Sequence, residues 1–294
     1  MTAVLLSAQQ PPSIQALYIF GDSLSDTGNV YRATNGTYPP SPPYFQGRFS
    51  NGQVWVEYLT QQLSIDQVNN FAIGGATTAS TGGLSPQEDR ANPSANRVPG
   101  LLSQVQSFTQ TVRNSQSGRL NSDALYVLWA GANDYLQGTI DPAVPVENIT
   151  QAITLLIAEG TNKILVVNLP DLGQLPATLN TANSEILSRL TEAHNRNLRR
   201  SFTQINQQNP DLQLVLLNVQ HLYQTAIAQP STYGFTNVTQ SCAANVQLCR
   251  IPDQFLFWDT IHPTTAGHEI IAEQAFAALQ EKLLMPAMTQ RSRG

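Results

Sequence analysis

Charge is scarce in this chain. Lys and Arg number 15 and Asp and Glu 20, so 12% of the 294 residues are charged, roughly half the usual globular share of about 25%. The net charge of −5 lacks the concentrated cationic surface that phosphate backbones require, which excludes nucleic acid as a partner class. Long apolar runs are missing as well. No stretch approaches the roughly 18 consecutive apolar residues of a membrane-crossing helix. No Lys or Arg precedes Arg32, so the apolar start Met1–Ala8 lacks the positive region of a secretory signal. Cysteine is limited to Cys242 and Cys249, too few for a disulfide framework, and zinc would want more Cys or His close by. A short local disulfide is the leading reading of that pair, with two buried or free thiols as the other. Asn, Gln, Ser and Thr take the place of charge on the surface, a style in keeping with a secreted or periplasmic protein.

What is present suffices for a sizeable core, since 41% of residues are hydrophobic. Five short apolar runs, at 17–20, 68–71, 125–129, 164–168 and 212–217, read as strands. The near-continuous character of a run such as Ile164-Leu165-Val166-Val167 suits a parallel sheet covered on both faces. Helical spacing is predicted for 53–63, 101–112, 146–158, 182–206 and 219–228. A last helix is predicted from about 264 to 284, with Ile270, Ile271, Ala275, Phe276, Leu279 and Leu283 on its apolar face. This alternation argues for one three-layer α/β domain with right-handed crossovers over 16–286. Residues 1–15 are then an N-terminal extension and 287–294 a tail. Two segments, 31–51 (rich in Pro, Tyr and Phe) and 80–99 (rich in Gly, Asn, Ser and Pro), read as long irregular loops. The aromatics of the first either wall a pocket or pack the loop onto the body.

Chemistry concentrates after the strands. Phe20-Gly21-Asp22-Ser23-Leu24 sets a serine where the first strand gives way to a new element. There it can cap a helix start or present a hydroxyl to the crevice at the strand ends. A serine nucleophile needs a base, and the base an orienting carboxylate. Of the four histidines, His194 sits among Arg196, Arg199 and Arg200 and reads as solvated surface. His221 reads as a packing or loop residue and His268 as structural. His262 differs: Asp259 stands three residues before it, within reach of Nδ1, and Pro263 confines it to extended backbone. Asp-x-x-His by itself is a weak signal, also open to a helix entry or a partial metal site. The Gly74-Gly75 turn after the second strand permits close backbone approach, so the Gly75 N–H could face an oxyanion. Gly131-Ala132-Asn133-Asp134 after the third strand offers the Asn133 amide for the same purpose, or a helix cap. Each is an ordinary turn alone. Together they fall on loops that gather at one crevice in a doubly wound sheet.

These blocks resemble the GDSL esterases and lipases, also called SGNH hydrolases. Phe20-Gly21-Asp22-Ser23-Leu24-Ser25-Asp26, Asn70-Phe71-Ala72-Ile73-Gly74-Gly75-Ala76, Gly131-Ala132-Asn133-Asp134 and Asp259-Thr260-Ile261-His262-Pro263 are similar to the family's signature blocks. Gly47-Arg48-Phe49-Ser50-Asn51-Gly52 with Trp55-Val56-Glu57-Tyr58-Leu59 resembles the plant-type and bacterial lecithinase/haemolysin branch. The resemblance implies a flavodoxin-like α/β/α sandwich with five parallel strands in the order 2-1-3-4-5. It implies Ser23 as nucleophile, His262 as base and Asp259 as its orienter. The oxyanion donors it implies are the N–H of Ser23, the N–H of Gly75 and the amide of Asn133. A monomeric ester hydrolase acting on a small-molecule or lipid ester, without metal or cofactor, is therefore expected. The residues after His262 are expected to be too few for the membrane barrel of autotransported relatives. Two alternatives stay open: acyl transfer by the same site, and a non-catalytic binding protein on a hydrolase scaffold.

Overall fold

In a computed structural model, which describes residues 14–84, 97–115, 119–244 and 249–284, five parallel strands form the centre of the molecule. β1 (Ala16–Gly21) pairs with β2 (Gln67–Asn70) on one side. Two short strands, β3 (Thr81–Leu84) and β4 (Arg97–Pro99), form a separate antiparallel pair. The sheet continues from β1 through β5 (Ala124–Trp129), β6 (Lys163–Val167) and β7 (Gln213–Leu217). The order across it is β2-β1-β5-β6-β7, so among the sheet's own strands the second precedes the first and the rest follow in sequence. β8 (Asn237–Ser241) and β9 (Phe255–Phe257) make a second small parallel pair near the site.

Side-chain alternation along the strands divides the core in two. Leu17, Ile19, Leu125, Val127, Trp129, Leu165 and Val167 face one layer. That layer holds α2 (Trp55–Leu63), α7 (Val219–Ala228) and α8 (Thr265–Leu279). Ala16, Phe20, Ala124, Tyr126, Leu128, Ile164 and Val166 face the other. It holds α3 (Leu101–Arg113), α5 (Ala143–Ala158) and α6 (Ser184–Gln208). β5 and β6 are buried along their whole length, which is why their sequences read as unbroken apolar runs. Each fully buried Leu or Val there contributes about 1.5–3 kcal/mol.

Several expectations are refined. β2 is an edge strand with its first half exposed, Val68 included. The segment expected to be irregular from 31 to 51 carries a short helix at its start, α1 (Asn29–Ala33). The ends of the 80–99 segment pair as β3 and β4, while its middle lies outside the described residues. The last helix widens into a π-helical turn at Gln280–Leu284. Residues 1–13 of the expected extension and the 287–294 tail lie outside the described residues. No helix among the described residues is long and apolar enough to cross a membrane.

Candidate active site

β1 and β5 are the strands between which the order of connection reverses, and their carboxyl ends open the crevice where such sheets place ligands. Ser23 stands two residues past the end of β1 and is 8% exposed. Its turn is closed by Asp22, whose carboxylate accepts from the Leu24 N–H at 3.0 Å and whose carbonyl accepts from the Ser25 N–H at 3.1 Å. Gln104 from α3 fastens the end of β1 beneath it. Its Oε1 accepts from the Gly21 N–H and its Nε2 donates to the Gly21 carbonyl, both at 2.9 Å.

The turn after β2 is tied to the serine turn by two residues. Asp26 accepts from the N–H groups of Gly28, at 2.8 Å, and of Gly74, at 2.9 Å. Asn70 donates to the Ser25 carbonyl at 2.7 Å and to the Thr27 hydroxyl at 3.1 Å. These bonds hold Gly75, whose φ of 84° lies in the left-handed region that favours glycine. After β5, Gly131 has a φ of 130° and starts α4 (Ala132–Leu136). A Cβ on Gly131 would press on His194 and Leu169. Asn133, on the first turn of α4, donates from Nδ2 to the Ala76 carbonyl at 3.0 Å. That uses one of its two amide hydrogens and joins the second and third loops.

The fourth loop runs from β9 to α8. Within it, the Ile261 and His262 N–H groups donate to Asp259 Oδ1 at 2.8 and 2.7 Å. The Trp258 N–H donates to the His262 carbonyl at 2.8 Å. The aspartate thus folds its own turn through one oxygen, which leaves Oδ2 for His262 Nδ1 at 2.7 Å. His262 Nε2 lies 2.8 Å from Ser23 Oγ. Thr264 caps α8 by accepting from the Gly267 N–H, so the loop ends on a rigid element.

Burial would push the Asp259 carboxyl up, but the facing His262 charge and the hydrogen bonds from His262 and Ile261 outweigh it and hold it well below the usual carboxylate range. Burial disfavours the His262 imidazolium, yet Asp259, with Asp22 adding to it, raises its pKa above the ordinary 6.5. Burial pushes Asp22 up to about 7.

Ser23, Gly75, Asn133 and His262 line one cavity of about 220 Å³, with Leu172, Leu175 and Tyr223 among its apolar walls. The structure thus brings together all five residues singled out in the sequence. Neither the Ser23 N–H nor the Gly75 N–H has an acceptor among the described residues. The aromatic loop does two things here. Tyr38 and Phe49 line the cavity, and Phe49 lies 5.2 Å from the His262 ring. Tyr44 reaches elsewhere, donating to Asp259 Oδ2 at 2.8 Å. Sequence reasoning missed Tyr44, because its partner is 215 residues away.

His194 is a correction. It is fully buried, accepts or donates at Nδ1 with the Tyr135 hydroxyl at 2.9 Å, and burial lowers it to about 4. The arginines near it in sequence belong to the opposite face of α6, whereas Leu187, Thr191, His194, Leu198, Phe202 and Ile205 form one buried stripe. That spacing of three and four is the signal that places it inside. His268 is buried as expected of a structural residue, and burial, with a smaller contribution from His262, lowers it to about 3. His221 is exposed on α7. Cys242 and Cys249 form a disulfide.

The model of a family described as GDSL-like lipase/acylhydrolase matches residues 17–275. A phosphatidylcholine-sterol acyltransferase of Aeromonas hydrophila is 28% identical, over 94% of this chain and 93% of its own length. A GDSL esterase/lipase of Arabidopsis thaliana is 27% identical, over 92% of this chain and 86% of its own. Among solved structures, a lipolytic protein of the G-D-S-L family from Veillonella parvula aligns with a TM-score of 0.51 at 16% identity, over 90% of this chain and 98% of that one. At that identity the likeness concerns the fold.

Proposed function

The chain belongs to the GDSL-like lipase/acylhydrolase family, and from that premise we propose that it is a serine ester hydrolase in which Ser23 is the nucleophile, His262 the base and Asp259 the carboxylate that orients it. One observation carries the reading: the unbroken line of hydrogen bonds from Asp259 Oδ2 through His262 to Ser23 Oγ, at 2.7 and 2.8 Å. An ionised Asp259 accepts only, so Nδ1 carries the hydrogen and Nε2 keeps a free lone pair facing the serine.

Ser23 Oγ attacks the ester carbonyl carbon while its proton passes to His262 Nε2. The carbonyl oxygen becomes an oxyanion, received by the N–H groups of Ser23 and Gly75 and by the second amide hydrogen of Asn133. The intermediate collapses, the C–O bond to the alcohol breaks, and His262 returns the proton to the departing oxygen. Water then attacks the acyl-serine by the same route. No metal or cofactor takes part in these steps. The disulfide supports a secreted or periplasmic setting, where such bonds persist.

Ser23→Ala tests the mechanism. The variant should keep its thermal transition, lose hydrolysis of p-nitrophenyl butyrate to background, and lose labelling by a fluorophosphonate probe. Folded Ser23→Ala protein with ester turnover near that of the parent would overturn it. A second reading, acyl transfer to an alcohol in place of water, is favoured by the name of the Aeromonas relative. Analysis of products formed with added alcohol distinguishes the two, since both start from the same acyl-serine.

A further inference from the structure

Beside the site cavity lies another of about 230 Å³. The two have a pair of walls in common, Leu175 and Tyr223. Leu175 follows a short turn at Leu172–Gln174 and Tyr223 sits on α7. They are 2% and 5% exposed. We propose that this second cavity receives the distal part of an acyl chain whose carbonyl sits at Ser23, so that the substrates are esters of medium- and long-chain carboxylic acids. The proposal rests on the ester-hydrolase reading above.

The chemistry of the walls suits hydrocarbon. Beyond Leu175 and Tyr223, the second cavity is bounded by Ile227 and Ala228 from the end of α7 and by Phe257 from β9. Its one charged neighbour, Asp171, is committed elsewhere. Its Oδ1 accepts from the Gly173 N–H at 2.9 Å and from the Ser188 hydroxyl at 2.7 Å. The glutamines that also border it, Gln174 and Gln224, are exposed.

The size suits it too. An apolar cavity of about 150 Å³ holds a benzene molecule, so a space of about 230 Å³ has room for roughly six carbons or more by the same measure. The first cavity must hold the carbonyl, the departing alcohol and the proximal carbons. An acyl chain of about a dozen carbons would then occupy both. The partition between them is held by packing. The Tyr223 hydroxyl has no hydrogen bond among the described residues, and its ring rests against Phe257 with centroids 6.0 Å apart. The Leu175 carbonyl anchors its backbone by accepting from the Thr178 and Leu179 N–H groups at 2.9 and 2.8 Å, but among the described residues neither the Leu175 nor the Tyr223 side chain makes a polar bond that a passing chain would break.

The test is a series of p-nitrophenyl esters from butanoyl to dodecanoyl, each below its micelle concentration. Each buried methylene is worth up to about fourfold in binding, so kcat/KM for the dodecanoyl ester should exceed that for the butanoyl ester by at least about tenfold. Ile227→Trp, which fills the second cavity, should reduce that ratio by about tenfold or more. A measurement on the unaltered protein guards against a variant that fails to fold. Dodecanoate should inhibit butanoyl ester hydrolysis at a concentration about tenfold or more below that needed for butanoate. A ratio that is flat or favours butanoyl, with dodecanoate no better an inhibitor than butanoate, overturns the second cavity as an acyl site and leaves the ester-hydrolase reading standing. A folded Ile227→Trp protein with an unchanged ratio overturns it as well. Hydrolysis of no ester in the series overturns the ester-hydrolase reading, and this inference with it.

Discussion

Tyr44 donates its phenolic hydrogen to Asp259 Oδ2 at 2.8 Å, on the same oxygen that takes the Nδ1 hydrogen of His262 at 2.7 Å. A loop residue from the first sixth of the chain thereby shares the carboxylate that fixes the imidazole. Tyr44→Phe should lower kcat by about tenfold, the equivalent of about 1.5 kcal/mol for a hydrogen bond to a charged group, with KM little changed. Without that bond Asp259 offers more charge to His262, so the acid limb of the rate should move to higher pH. Equal loss of kcat and thermal stability with an unmoved limb would assign Tyr44 to packing alone.

Asn133 offers a second contrast between structure and chemistry. Its Nδ2 already serves the Ala76 carbonyl at 3.0 Å, so Asn133→Ala removes both a loop tie and a proposed oxyanion donor. The expected result is a fall in kcat of about 100- to 1,000-fold, in line with the loss of one such donor. Labelling of Ser23 by a fluorophosphonate should persist at a reduced rate. Retention of full kcat would remove Asn133 from the oxyanion site.

The pH dependence follows from the charges around His262. Its Nε2 must be unprotonated to accept from Ser23, and Asp259 and Asp22 raise its pKa above 6.5 against the effect of burial. The acid limb of kcat/KM should therefore lie above pH 6.5, with rate rising as pH rises through it. Asp22, which burial pushes up to about 7, ionises over the same range, so the limb belongs to the pair. Asp259→Asn should move the limb down by removing the charge that favours the imidazolium. A parent limb below 6.5 would contradict this electrostatic account.

The disulfide is expected to act on the site as well as on stability. The Cys242 N–H donates to the Phe257 carbonyl at 3.0 Å and the Ala243 N–H to the Trp258 carbonyl at 2.7 Å, immediately before Asp259. Closing a loop with a sequence separation of 7 stabilises by about 2.5 kcal/mol on the chain-entropy model. Replacing both cysteines with serine should cost about that much in chemical denaturation and should lower kcat, because the strand that leads into Asp259 loses its brace. A loss of stability with kcat untouched would confine the disulfide to a structural role.

Much of this was legible in the sequence because parallel strands covered on both faces announce themselves as apolar runs, and because loops at their carboxyl ends must converge. Ser23, Gly75, Asn133, Asp259 and His262 could be named from such positions and from the family resemblance. Contacts that depend on how a loop drapes over the body were not legible. Tyr44 is one aromatic among several in a Pro-rich stretch, and nothing local marks it as the partner of Asp259. His194 was misplaced for a different reason: its polar sequence neighbours outweighed the three-and-four spacing that sets it in the core beside Tyr135. Two residues flanking the cavities, Leu175 and Tyr223, come from separate segments of the chain, and only the folded form brings them to a common wall.

The nucleophile and base proposed here stand 239 residues apart along the chain. A ribosome making this protein releases the serine 239 residues before the base, so the emerging polypeptide lacks the proposed pair until the segment bearing His262 appears. On the proposed mechanism, ester cleavage is withheld over that whole interval and begins only when α8, which follows His262, can dock on the sheet. For an enzyme that acts on ester bonds, that delay is a built-in period of innocence. It also makes turnover of a simple ester a readout of completed folding, since a truncation between Ser23 and His262 removes the proposed base.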